Sequence, residues 1–297
     1  MSAWSEAGRE DETDRTLVRA ALAGRREALD DLVRRHQGFL YRLALRMVWE
    51  PRDAEDATQE ILIKIVTALS TYRGESAFRT WAYRIAANHL LSLRRGKAEQ
   101  AISSFECYGR ALEATSVEEI PDEDALSADR KVLAEEVRIG CTIGMLLCLD
   151  REQRLVFVLG GIFEASDAAG AEILGMSRAN FRQRLHRARE QLYGFMAGRC
   201  GLAEPSNPCR CARKTRGFIQ AGIVDPKSLR FSEEHLGAVE QLAPSRARQL
   251  DARFEEGLAR IYRQQTLREP PDFVAGLRAV IEGGELRRLL ALDGEPV

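Results

Sequence analysis

Apolar residues recur along most of this chain at steps of three and four, the spacing of one helix face, and the pattern predicts an all-α protein. From residue 13 to residue 93 the reading is nearly continuous helix. A short helix over Thr16–Ala23 ends at Gly24. The next, Glu27–Trp49, carries Leu29, Leu32, Val33, Phe39, Leu40, Leu43, Leu45 and Met47 as a core face. Pro51 breaks it, and Asp53 is placed to cap a helix over Ala54–Leu69 with the stripe Ala57, Ile61, Ile65, Ala68 and Leu69. On another face of that helix Asp56, Gln59, Glu60 and Lys64 form a polar row. A solvated surface is the plain reading of such a row, although its spacing also suits docking against a partner helix. A loop, Tyr72–Ala77, then leads into FRTWAYRIAANHLLSLRR, where Phe78, Trp81, Tyr83 and aliphatic residues interleave with Arg79, Arg84, Asn88, His89, Arg94 and Arg95. Rings and cations together suit single-stranded nucleic acid, because charge follows phosphate and rings stack on bases. Simple core packing of Trp81 and Tyr83 is the competing reading.

Leu149–Leu192 organises the rest. It predicts a helix over Glu152–Phe163, a short helix Ala168–Leu174 capped by Ser166 or Asp167, a turn at Gly175 and Met176, and a third helix from the Ser177 cap to about Tyr193. Glycine suits the turn because it tolerates the left-handed conformation. The last two helices form a helix-turn-helix. From Arg178 to Arg189 the third helix holds five arginines and His186 and no acid. Phe181, Leu185, Ala188 and Leu192 would pack it, leaving Arg182, Gln183, His186 and Arg187 elsewhere. Such a face suits the major groove, where Arg pairs with guanine and Gln with adenine. A solvated basic face on a bundle is the alternative.

Between these parts, Gly96–Asp129 carries nine acids against Lys97 and Arg110, with Pro121 interrupting, and reads as a flexible acidic spacer without a packed core. Asp129–Leu149 returns to helix, with Cys141 and Cys148 expected as small buried apolar residues. After Arg199, Cys200, Cys209 and Cys211 form a dense cysteine cluster. Three thiolates supply most of a tetrahedral zinc site or a soft Cu(I) site. No fourth ligand stands out, His235 being only a distant candidate, and redox-active or simply reduced thiols stay open as alternatives. Helices are expected over Glu233–Leu242, Ser245–Leu267, Asp272–Ile281 and Leu286–Leu292.

Length and composition add limits. A chain of 297 residues suggests two or three domains, and 45% hydrophobic with 30% charged residues is ordinary for a globular protein. A net charge of -1 puts any argument for nucleic acid on local patches. The polar, acidic N-terminus lacks an apolar signal core, and the longest apolar-looking run, Ile139–Leu149, is too short to span a bilayer. With six cysteines distributed as they are, the expectation is a reducing cytoplasm and no membrane. There is no phosphate-binding glycine loop, HExxH or nucleophile motif, so an enzyme is not expected.

AEILGMSRANFRQRLHRAREQL resembles region 4 of bacterial extracytoplasmic-function (ECF) sigma factors of the sigma-70 family. Phe181 and Gln183 replace the usual Val and Ser. DAEDATQEILIKIVTALSTYRGESAFRTWAYRIAANHLLSLRR is similar to region 2 of the same family, with Ile61 and Leu62 where Thr and Phe are common. The resemblance implies a factor that binds RNA polymerase core at the β′ clamp and β flap and takes it to promoter DNA. It assigns core binding to Asp56, Gln59 and Glu60. Reading and melting of the minus-10 element falls to Arg79, Trp81, Arg84 and Asn88, and contact with the minus-35 element to Arg178, Arg182, Gln183, His186 and Arg187. Melting needs a pocket for an extruded base. The implied division is region 2 over residues 1–96, the acidic linker over 97–128, region 4 over 129–199, and a cysteine-containing helical extension over 200–297. The NPCRCARKTRGFI segment is similar to C-terminal extensions of some ECF sigma factors, which implies built-in regulation, with an anti-sigma partner left open. A free-standing helix-turn-helix regulator is the competitor, but leaves the Asp56/Gln59/Glu60 face and the Trp81 helix without a role. Metal- or redox-responsive switching is compatible with the sigma-factor reading rather than opposed to it.

Overall fold

Helix α1 (Ala7–Leu22) precedes α2 (Arg26–Val48), which ends where Trp49 turns to φ 69°, and Pro51 at the next first turn starts α3 (Pro51–Thr67). These belong to a computed structural model that describes residues 7–120, 126–232 and 254–282. The expectations over Glu233–Leu242, the first part of Ser245–Leu267, Leu286–Leu292 and His235 fall outside the described residues. Among the described residues every regular element is helical, as expected. None of these helices is long and apolar enough to cross a membrane.

The chain divides into two compact units, and they do not follow its linear order. The first takes in Met1–Arg95, Val158–Arg182 and Glu269–Val297. Its core comes from the predicted stripes. Leu29, Leu32, Val33, Leu40 and Leu43 of α2 are buried with Ala54, Ala57, Ile61, Leu62 and Ile65 of α3. Helix α4 (Phe78–Ser92) adds Phe78, Ala82, Tyr83, Ala86 and Leu90, its alanines allowing close approach. Tyr83 stacks on Phe39 with centroids 4.2 Å apart, so it is core, as the plainer sequence reading had it. Helix α1 begins nine residues earlier than expected and is tied in by polar contacts. Asp11 accepts from the Phe78 backbone N–H at 3.1 Å, and buried Asp14 meets His36 Nε2 at 3.0 Å and Arg35 Nε at 2.8 Å.

The second unit comprises Gly96–Phe157 and Gln183–Arg268. Here the acidic stretch departs from expectation. It is helical over Lys97–Ala101 (α5) and Phe105–Ala114 (α6), not a structureless spacer. Glu99 is buried against Arg151 and Arg154, and Tyr108 is buried with its hydroxyl donating to the Cys141 carbonyl at 2.8 Å. Net charge alone missed these partners because they lie far along the chain.

Helix α7 (Ala128–Leu146) is the axis of this unit. Its Glu136 carboxylate, buried, accepts backbone N–H bonds from Arg230 at 2.6 Å, Phe231 at 3.1 Å and Ser232 at 3.0 Å. Helix α11 (Cys211–Gln220) lies along α7, and Tyr262 of α12 (Phe254–Arg263) donates from its hydroxyl to the Thr142 carbonyl at 3.1 Å. Residues after Arg199 are therefore built onto α7 within this unit. The predicted helix Glu152–Phe163 appears as α8 (Arg151–Phe157) continued by a wider π turn at Val158–Ile162, where Gly160 and Gly161 fall.

Candidate nucleic-acid interface

The helix-turn-helix forms as its local chemistry dictates. Ser166 caps α9 (Asp167–Leu174), its hydroxyl accepting from the Ala169 N–H at 3.1 Å. Gly175 takes φ 62°, and the Met176 N–H closes the turn onto the Ala171 carbonyl at 3.0 Å. Ser177 then accepts from the Asn180 N–H at 3.2 Å and starts α10 (Arg178–Ala197). The two helices touch at Gly170, where an added Cβ would lie 2.3 Å from the Phe181 ring. Glycine and aromatic are thus a matched pair that fixes where α10 leaves the turn. Phe181, the departure from the usual Val, is fully buried.

All five residues assigned to the minus-35 element are exposed on α10. Arg182 Nη1 is held at 2.5 Å by Asp167 Oδ2, and His186 stands 3.3 Å from Glu190. Arg184 pairs instead with Glu152 at 2.5 Å, which takes it out of the reading face.

On α4, Trp81 is half-buried at the edge of an aromatic group, 5.4 Å from Tyr72 and 5.5 Å from Phe78. Arg79 is half-buried, and Arg84 and Asn88 are exposed. Arg84 Nη2 donates to the Glu172 carbonyl of α9 at 3.0 Å, so α9 lies against α4 within the first unit. Asp56 and Glu60 are exposed on α3 and Gln59 is half-buried. Glu60 faces buried His89 at 3.6 Å, where burial pushes the imidazole below its ordinary pKa despite the carboxylate.

A further helix lies beside Gln59 of this row. In α13 (Phe273–Glu282), Phe273, Val274 and Leu277 are buried against α2 and α3. The Phe273 N–H donates to Gln37 Oε1 at 3.1 Å, and Arg278 forms a two-pronged pair with buried Asp30. A Cβ on Gly276 would sit 3.7 Å from the Gln59 amide. Sequence periodicity found this helix, but its resting place on α2 and α3 has no local signal.

All six cysteines are free thiols. Cys200 and Cys209 are joined side by side by an isolated parallel backbone bridge, and Cys211 opens α11. Among the described residues no group of three or more His, Cys, Asp or Glu is already arranged to hold a metal ion.

Comparison with known proteins agrees with this geometry. The model of sigma-70 region 2 matches residues 32–100, and that of sigma-70 region 4 matches residues 140–192. The ECF RNA polymerase sigma factor SigM of Mycobacterium tuberculosis is 31% identical over 186 residues, 62% of this chain and 85% of SigM. The ECF sigma-E factor of Escherichia coli is 30% identical over 188 residues, 61% of this chain and 92% of its own length. SigE of Mycolicibacterium smegmatis is 31% identical over 57% of this chain and 61% of SigE. Among solved structures, CnrH in complex with the cytosolic domain of CnrY is similar over 63% of this chain, with 27% identity and a TM-score of 0.43. The fold and its two matched regions define a sigma-70-type transcription initiation factor. The chain belongs to the ECF sigma factors, which recognise promoters for RNA polymerase.

Proposed function

We propose that this chain binds RNA polymerase core through the α2–α3 face bearing Asp56, Gln59 and Glu60, with region 4 at the β flap, and that it reads both promoter elements itself. The observation that carries this reading is the face of α10. Arg178, Arg182, Gln183, His186 and Arg187 are all exposed on it, behind a turn fixed by two serine caps and Gly175. Guanidinium and amide groups can then meet base edges in the major groove at the minus-35 element. On α4, Arg79, Trp81, Arg84 and Asn88 would take the minus-10 element, with Trp81 at the edge of a ring cluster that offers a stacking surface to an unpaired base. No step of this role asks for bond chemistry from the chain. It acts wherever the polymerase is, in the cytoplasm.

The position of α13 favours a regulatory part for the extension. It occupies the α2–α3 face beside Gln59, while Arg84 is engaged by α9. Polymerase and promoter would therefore compete with contacts made inside the chain, so the described arrangement is a resting form.

The test is run-off transcription and core binding with the purified full chain. Core binding and promoter-specific initiation are expected, stronger once α13 is loosened by substitution. Specific duplex binding without any core binding would leave a free-standing helix-turn-helix regulator.

A further inference from the structure

Helix α4 starts without a cap of its own. The first N–H groups of a helix have no partner inside it, and a side chain at the N-cap ordinarily supplies one. Here the N-cap is Ala77, with φ -58° and ψ 141°, and its methyl group accepts nothing. The acceptor comes instead from 67 residues earlier, where Asp11 Oδ1 takes the Phe78 N–H at 3.1 Å. Its other oxygen, Oδ2, takes Arg15 Nε at 2.9 Å, so both halves of the carboxylate are fixed. A negative charge at this end also meets the positive end of the helix dipole.

Helix α1 is held so that Asp11 stays in place. Asp14, Val18 and Ala21 continue the face on which Asp11 stands, and all three are buried. The Asp14 carboxylate is shared between His36 Nε2 at 3.0 Å and Arg35 Nε at 2.8 Å, both on α2. The His36 ring in turn lies 5.2 Å from the Phe78 ring. Phe78 is therefore gripped twice by α1 and α2, through its N–H and through its ring. The same ring stands 5.5 Å from both Tyr72 and Trp81. Tyr72 closes the preceding loop, its hydroxyl donating to the Ser76 carbonyl at 2.8 Å. Arg79 and Trp81 follow Phe78 directly, in the turn that Asp11 caps.

We propose that Asp11 is a positioning residue for the minus-10 element: reaching across from α1, it caps α4 and sets the turn from which Arg79 and Trp81 meet DNA. The role rests on the assignment of α4 to that element. Without the cap the first turn frays, since helix ends are the least stable part of a helix. Trp81 would then have to be ordered each time an unpaired base stacks on it, and that ordering subtracts from binding. Asp11 lies ahead of the segment that matches sigma-70 region 2, residues 32–100, so the family match does not reach it.

The experiment takes the full chain with polymerase core and a promoter that this pair selects from randomised DNA, alongside the same promoter with its minus-10 or minus-35 bases scrambled. Asp11→Ala should lower discrimination against the scrambled minus-10 element about 2- to 30-fold, the worth of a lost cap, and leave discrimination at minus-35 as in the parent. Amide hydrogen exchange over residues 78–81 of the free chain should quicken as well. Asp11→Asn keeps an acceptor oxygen and should behave as the parent does, and Ala77→Ser, which gives the helix its own cap, should restore Asp11→Ala. Equal loss at both elements, or unchanged exchange, would overturn the proposal. Quickened exchange with unchanged discrimination would overturn it alone, whereas a parent that selects no promoter would overturn the assignment of α4 and this role with it. Should Asp11→Ala fail to fold, the variant that also carries Ala77→Ser decides: continued failure would end capping as the role of Asp11.

Discussion

Arg154 Nη2 lies 3.1 Å from Glu99 Oε1, with the two side chains only 1% and 4% exposed. Arg151 grips the same carboxylate at 2.6 and 2.9 Å. Arg154 also donates to the carbonyls of Leu146, Leu147 and Leu149, at and just beyond the end of α7. One carboxylate thus locks α5 to α8 and lets an arginine close α7. Removing it strands a buried cation. Glu99→Ala should destabilise the second unit by about 3–5 kcal/mol, measured by urea unfolding. A loss under about 1 kcal/mol would mean that water or another acid takes its place.

The same group gives a pH dependence. Burial pushes the Glu99 carboxyl up, but the Arg151 hydrogen bonds and the Arg154 charge outweigh it and hold the carboxyl below its ordinary 4.5. A lowered folded value means stability present above 4.5 and lost as pH falls through the folded value. The gap in urea midpoint between the parent and Glu99→Gln should therefore narrow as the pH falls below 4.5.

Gly170→Ala should damage the helix-turn-helix out of proportion to a methyl group. The new Cβ would sit 2.3 Å from the Phe181 ring, and both residues are buried. Overpacking of this kind costs about 1–3 kcal/mol. Duplex binding to the minus-35 element should fall, and Gly170→Ala combined with Phe181→Val, which frees the space, should regain part of it. No recovery in the double variant would place the fault elsewhere.

Arg182→Ala tests the reading face. If Arg182 leaves Asp167 to pair with a guanine, its loss should cost about 1–3 kcal/mol at one base position and relax the preference there. Competition binding with single-base variants of the promoter measures this. Equal weakening on every sequence would make Arg182 a phosphate contact.

Loosening α13 should strengthen core binding. Phe273→Ala with Leu277→Ala removes two buried side chains that hold this helix on α2 and α3, without touching Asp56, Gln59 or Glu60. Coupling of about 1–3 kcal/mol would raise affinity for polymerase core about 5- to 150-fold, read by fluorescence anisotropy. Unchanged affinity would mean that α13 leaves the docking face clear.

Much of this was legible in the chain because it rests on short-range rules. Gly175, Ser166 and Ser177 act within a turn of their own positions, and each stands at the boundary expected of it, whereas Pro51 itself starts α3 and Asp53, the expected cap, lies inside its first turn. The stripes of α2 and α3 and the acid-free run on α10 needed only periodicity. The acidic stretch misled because its charge is a local property, while the partners that bury Glu99 lie 52 and 55 residues away.

The sequence by itself determined the helices α2 to α4, α7, α9 and α10, the turn that aims α10, and the residues that α4 and α10 present. Those depend on backbone preference and on side chains three or four apart. Tertiary structure alone decided which distant faces meet: α13 on α2 and α3, Arg84 against Glu172, and Glu136 beneath the backbone of Arg230, Phe231 and Ser232. Such contacts follow from which apolar surfaces bury one another, and that choice is made between segments 88 to 248 residues apart, where no local pattern carries it.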